Sequence, residues 1–145
     1  MSRGTGQVEV RDARAFDVHG IQHVARMTWD HTYRETIPGD VRAEFVSRTY
    51  SWNSRGRRIE SNVFLVATAD EEVLAFADFR TRSETVAELG AIYVLPEMHR
   101  RGIGARVLEA GIDRFPPRTR FVLRVESDNA LAQRIYQANG FTRTE

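Results

Sequence analysis

An α/β domain built on a mixed sheet is what this sequence predicts, and three observations carry the prediction. Apolar residues recur at helical steps in the first third and as continuous strand-like runs in the middle. The stretch His99-Arg100-Arg101-Gly102-Ile103-Gly104-Ala105 joins a strand pattern to a helix pattern through a glycine-containing turn. Past that helix an apolar run at 121–125 returns the chain, and a helical crossover sets the two flanking strands parallel. The expected order is βααβββαβα, with a short closing strand.

Residues 7–11 alternate, with Val8 and Val10 on one side, and read as the first strand. From Asp17, a suitable cap, Val18, Ile21, Ala25, Trp29 and Thr32 form the stripe of a helix ending near Tyr33. Pro38-Gly39-Asp40 breaks the chain and restarts it with Asp40 as cap, and Val41, Phe45, Thr49 and Trp52 follow as a second stripe. The Arg-rich segment 51–61 is polar enough to be a solvated loop. Residues 63–68 and 73–79 are strands around the polar turn 69–72, and 86–95 is a third strand, interrupted at Gly90, where a missing side chain marks a bulge or a close backbone approach. Ile103, Val107, Leu108, Gly111 and Phe115 are the buried stripe of the next helix, which Pro116-Pro117 stops. A last helix spans 130–138, capped by Asp128 or Asn129 and ended by Asn139-Gly140, with 141–145 left for a closing strand.

Composition narrows the function classes. At 145 residues, 41% hydrophobic and 28% charged, the chain suits one domain over 7–145 with residues 1–6 frayed. A net charge of +1 gives no bulk attraction to nucleic acid or anionic membrane, so neither is expected as a partner. The absence of Cys excludes thiolate chemistry, and the absence of Lys excludes a lysine Schiff base. His19, His23 and His31 lack an accompanying carboxylate motif, and no metal is expected. No apolar run approaches the ~18 residues of a membrane span, and a cytoplasmic location is expected.

The turn at 99–105 reads as an anion cradle. A helix start leaves backbone N–H groups without intrahelical partners at the positive end of the helix dipole, and Gly102 and Gly104 permit close approach. Val107 at the third small-residue position disfavours a dinucleotide fingerprint, and no Gly-Lys-Ser/Thr marks a nucleotide P-loop.

The order of elements, with Arg100-Arg101-Gly102-Ile103-Gly104-Ala105 after the fourth strand and Asn129, Ala132, Tyr136, Gly140 and Phe141 in the pattern N-x-x-A-x-x-x-Y-x-x-x-G-F, resembles the GNAT-type N-acetyltransferases. The segment 91–97 running into the cradle belongs to the same resemblance, as does 27–33 followed by Ile37-Pro38. The resemblance implies a GNAT fold that uses acetyl-CoA, or another acyl-CoA, to acylate a primary amine of a small molecule or peptide by direct attack. A noncatalytic acyl-CoA-binding or regulatory module is the alternative.

Under this resemblance, His99, Arg100, Arg101, Gly102, Ile103, Gly104 and Ala105 hold the pyrophosphate, Ile92, Tyr93 and Val94 pair with the pantetheine arm, and Asn129 faces the cofactor. A backbone N–H near Tyr93 or Val94 would stabilise the oxyanion. Tyr136 would protonate the departing thiolate, against a plain packing role. Glu88 is the first choice of base and Asp78 the second, with an exposed strand position as the plain reading of Glu88. Trp29 and Tyr33 would line the acceptor pocket, against a role as core aromatics. His99 stands where relatives carry Gln or Arg, and relatives continue through further strands after Gly140-Phe141. The shortened end implies a bare sheet edge and a homodimer through it.

Overall fold

Five strands in the order β1-β2-β3-β4-β5 organise the computed structural model, which describes residues 7–49, 62–123 and Gln137. β1 (Glu9–Asp12), β2 (Val63–Ala69), β3 (Glu72–Thr81) and β4 (Val86–Val94) pair antiparallel in succession. β5 (Arg120–Val122) joins β4 in parallel, as the intervening helix requires. α1 (Val18–Tyr33) and α2 (Gly39–Thr49) follow β1, and α3 (Ile103–Ile112) links β4 to β5. The last helix and the closing strand expected from the sequence lie outside the described residues apart from Gln137, which is helical.

The helices cover opposite faces of the sheet. Tyr93 and its cross-strand partner Phe76 meet α1, Tyr93 through the indole of Trp29. Phe79, three residues beyond Phe76 and so on the other face, packs toward Gly111 of α3. β3 is buried on both faces from Val73 to Phe79, which accounts for its unbroken apolar run apart from Asp78. α3 buries Ile103, Val107, Leu108 and Gly111, the stripe that its spacing predicts. Each large member of that stripe contributes about 1.5–3 kcal/mol relative to exposure.

Local departures have local causes. The β2–β3 turn places Asp70 and Glu71 at φ 51° and 67°, the two left-handed positions of a type I′ hairpin, without glycine. Asp17 does not cap α1 with its side chain. A 3-10 turn at Ala15–Asp17 comes first, and the buried Asp17 carboxylate accepts two hydrogen bonds from Arg11, at 2.8 and 2.9 Å, and one from the Arg14 N–H at 2.8 Å. Those bonds to Asp17 hold the Arg11 guanidinium above its ordinary pKa. Asp40 is likewise inside the first turn of α2, whose helix begins at Gly39. Val46 supplies the buried contact of α2 while Val41 is 51% exposed, so the core stripe is rotated from the expected one. Thr32 is exposed, and Thr28, one turn earlier, faces β4.

α3 also reaches β1. Arg106 Nη2 donates to the Val8 carbonyl at 3.1 Å, and Arg114 forms a two-point ion pair with Asp12 at 2.5 and 3.2 Å.

A Cβ on Gly111 would stand 2.0 Å from Cε1 of Phe79, whose ring is fully buried. Gly111→Ala gains about 1 kcal/mol in helix propensity but forces the ring aside at about 1–3 kcal/mol. A net lowering of the denaturant midpoint is expected; an unchanged or raised midpoint would show that the ring yields freely.

Candidate functional site

The site is built where β4 loses one of its two neighbours. β5 pairs with β4 only at Val86↔Arg120, Ala87↔Phe121 and Glu88↔Val122. Among the described residues, β4 beyond Glu88 pairs with β3 alone. The change coincides with a bulge: Leu89 stands opposite Phe79 and Ala91 opposite Asp78, leaving Gly90 as the extra residue. The sequence expectation of a bulge at Gly90 is met. Ile92, Tyr93 and Val94 follow the bulge, where an extended ligand can lie along the strand as an added one would.

β4 runs into the cradle. Leu95 leads into a 3-10 turn, Pro96–Met98, then His99, and Arg100 takes a left-handed φ of 67°, uncommon for a side chain of that size. Gly102, at φ 77°, caps α3. The first intrahelical bond runs from the Arg106 N–H to the Gly102 carbonyl at 3.1 Å, so the N–H groups of Ile103, Gly104 and Ala105 point out of the helix end. A Cβ on Gly102 would meet nothing within 4 Å, so glycine is required there for its φ; a Cβ on Gly104 would touch Val94 Cγ2 at 3.4 Å. The Arg100 and Arg101 side chains are exposed beside this row of donors. His99 turns its Nε2 to the Val94 carbonyl at 3.0 Å, tying the loop to the end of β4, and its ring stands edge-on to His31.

On the α1 side, aromatic residues wall the same stretch of β4. The Trp29 ring stacks on Phe45 with centroids 4.1 Å apart and leans on Tyr33 at 4.6 Å. Its indole N–H donates to the Tyr93 hydroxyl oxygen at 3.0 Å. All four are half-buried, and Trp29, Phe45 and Tyr93 pack on the core. Arg42 fixes this wall: Nε donates to Asp30 at 3.0 Å, and Nη1 donates to the carbonyls of Ile37, Arg34 and Tyr33 at 2.5, 3.3 and 3.5 Å. A cation thus satisfies the last carbonyls of α1, at the negative end of its dipole.

Charged residues continue the same face. Asp78 and Arg80 share the parity of Phe76 on β3, and Glu88 lies opposite Arg80. Asp78 is fully buried and accepts a hydrogen bond from Asn62 Nδ2 at 2.9 Å. Glu88 is half-buried and ion-paired with Arg82. Asn129 and Tyr136, like Trp52, lie outside the described residues. Sequence reasoning missed Arg42, Arg80 and the Tyr93 side chain, because each gains its place from register or a tertiary contact that no local pattern encodes. Among the described residues there is no group of three or more His, Asp and Glu arranged to hold a metal, and no helix long and apolar enough to cross a membrane.

Residues 25–141 match the Acetyltransferase (GNAT) family. The chain belongs to that family. An uncharacterized N-acetyltransferase of Bacillus subtilis (strain 168), YuaI, is 34% identical over 112 residues, covering 73% of this chain. The match spans 63% of that relative's own length. Among solved structures, the PaiA N-acetyltransferase of Thermoplasma acidophilum in complex with coenzyme A superposes with a TM-score of 0.87 at 24% identity, over 94% of this chain and 90% of that one. The ribosomal-protein-S18-alanine N-acetyltransferase of Escherichia coli gives 0.71 at 21% identity, over 96% and 80%. The fold is therefore a GNAT fold.

Arg42→Met removes the donors that Asp30 and three carbonyls share while keeping the aliphatic stem. A loss of about 1–3 kcal/mol in unfolding free energy is expected. An undiminished denaturant midpoint would show that water replaces the guanidinium without cost.

Proposed function

We propose that this protein transfers an acetyl group from acetyl-CoA to a primary amine of a small molecule or peptide, by direct attack within a ternary complex. The observation that carries the reading is the continuity of β4 with the cradle: a strand edge beyond a bulge, followed at once by outward N–H groups of a helix start. The first suits the amides of a pantetheine arm and the second a pyrophosphate, flanked by Arg100 and Arg101. Family membership and a coenzyme A complex among the structural neighbours support the same donor.

The chemistry needs a neutral amine, a stabilised oxyanion and a protonated leaving group. An alkyl ammonium with a pKa of about 10 must lose a proton before its nitrogen attacks the thioester carbon. Glu88 is the proposed acceptor of that proton, directly or through water; supporting it are its position two residues before the bulge and its placement on the aromatic-walled face. Arg82 beside it forms an ion pair that orients the carboxylate. A backbone N–H near Tyr93 or Val94 is the proposed oxyanion donor. As the tetrahedral adduct collapses, the carbon–sulfur bond breaks and Tyr136 is proposed to supply the proton to sulfur, a role resting on the resemblance of its motif. Trp29 and Tyr33 are proposed to contact the acceptor.

The test is release of CoA thiol from acetyl-CoA with a panel of amino acids, polyamines, aminoglycosides and peptide amino termini. Release dependent on acceptor supports the transferase; binding of acetyl-CoA with no release across the panel overturns it.

Gly104→Val projects a branched side chain from the cradle against Val94, so the KM for acetyl-CoA should rise by about tenfold or more with a smaller change in kcat. An unchanged KM would remove the cradle from cofactor binding.

Glu88→Gln should lower the rate at neutral pH and recover part of it as the pH approaches that of the free amine, because solvent then removes the proton. A pH profile parallel to that of the parent protein would show that Glu88 is not the base.

A further inference from the structure

Resting on the transferase reading, we propose that Arg80 recognises a carboxylate on the acceptor, so that the substrate class is amino acids, or amines bearing a carboxylate within a few bonds of the reacting nitrogen. Arg42 and Arg82 on the same side of the sheet are each committed, to Asp30 and to Glu88. Arg80 makes no hydrogen bond or ion pair among the described residues, and its Nε is buried without an acceptor. A guanidinium donor held out of water and left unpaired is costly, and folds keep such groups where something else supplies the acceptor.

The placement says what that is. Arg80 lies opposite Glu88 in the β3–β4 register, on the face that carries Tyr93 and Trp29. Its Nη2 is 3.7 Å from where a Cβ would stand on Gly90, and the Asp78 carboxylate is 3.6 Å from the same point. Gly90 itself is exposed, so the bulge leaves an opening floored by bare backbone, with a guanidinium on one side and carboxylates beside it. Nη1 and Nη2 form the outer edge of the guanidinium, and that edge matches the two oxygens of a carboxylate. Asp78 and Glu88 would repel a dianionic phosphate, whereas a zwitterion presents its ammonium to Glu88 and its carboxylate to Arg80. The amine loses its proton and is acetylated as before; the carboxylate takes no part in bond making.

The test compares matched acceptors with the full-length protein: phenylalanine, its methyl ester and phenethylamine, then methionine and its methyl ester. Carboxylate acceptors should show kcat/KM higher by about 10–100-fold, the range expected of a charge-assisted pair. Arg80→Gln should abolish that preference while leaving the KM for acetyl-CoA and the rate with phenethylamine within about twofold. Arg80→Lys, which keeps the charge but loses the fork, should retain only part of the preference, and serves if Arg80→Gln fails to fold. Esters and amines acetylated as well as the acids would overturn this inference while leaving the transferase reading intact. No acceptor-dependent release at all would overturn both.

Discussion

A β-strand hydrogen-bonded on both sides has nothing left to offer a ligand, and among the described residues β4 escapes that condition within a single strand. Its first three residues are held between β3 and β5, and the register with β3 then slips by one at Gly90. The proposed site is arranged around that slip. It separates the half of the strand paired with β3 and β5 from the half paired, among the described residues, with β3 alone, and it sets Glu88 just before the change and Ile92, Tyr93 and Val94 just after it. The bulge costs ladder continuity, which the fully buried flanking residues on β3, from Val73 to Phe79, offset through packing.

The two faces of the sheet divide the work. α3 delivers its N-terminus to the end of β4 and packs against β2 and β3 through Val107, Leu108 and Gly111, so the cradle is anchored in the core. α1 and α2 bring aromatic rings to the other face, and a single guanidinium ties the end of α1, the following loop and α2 together. Between these two systems lie Arg100 and Gly102, both left-handed, in the short loop that joins β4 to α3.

Most of the fold was legible because its signals are local. The switch from helical spacing to apolar runs locates α1, β2, β3 and β4, the expected stripe of α3 matches at Ile103, Val107, Leu108 and Gly111 while Phe115 lies past the helix end, and a lone glycine inside an apolar strand coincides with the bulge. α2 was read in the wrong phase because an 11-residue helix with few apolar side chains gives several stripes of similar merit, and packing against α1 chose Val46 over Val41. Asp17 resembled a cap and became an ion-pair partner, because Arg11 six residues earlier competes for its carboxylate. The sequence treats Gly102 and Gly104 alike, and the structure separates them: Gly102 is needed for its φ, whereas a Cβ on Gly104 would only reach ordinary contact with Val94. Arg80 and Asp78 illustrate the remaining limit. Their meeting over Gly90 depends on the register between β3 and β4, and a one-residue slip would send both to the opposite face.

The clasp between α3 and β1 bears on how the chain folds. β1 is only four residues long, pairs among the described residues with β2 alone, and is gripped just before its start by Arg106 and at its end by Arg114, which lie roughly a hundred positions further along the sequence. Such contacts close a long loop and form after the nearby hairpins, whose closure entropy is smaller. The earliest of the five described strands in the sequence is therefore among the last to be fastened, and the central hairpins of β2, β3 and β4 must hold together without it until α3 has docked.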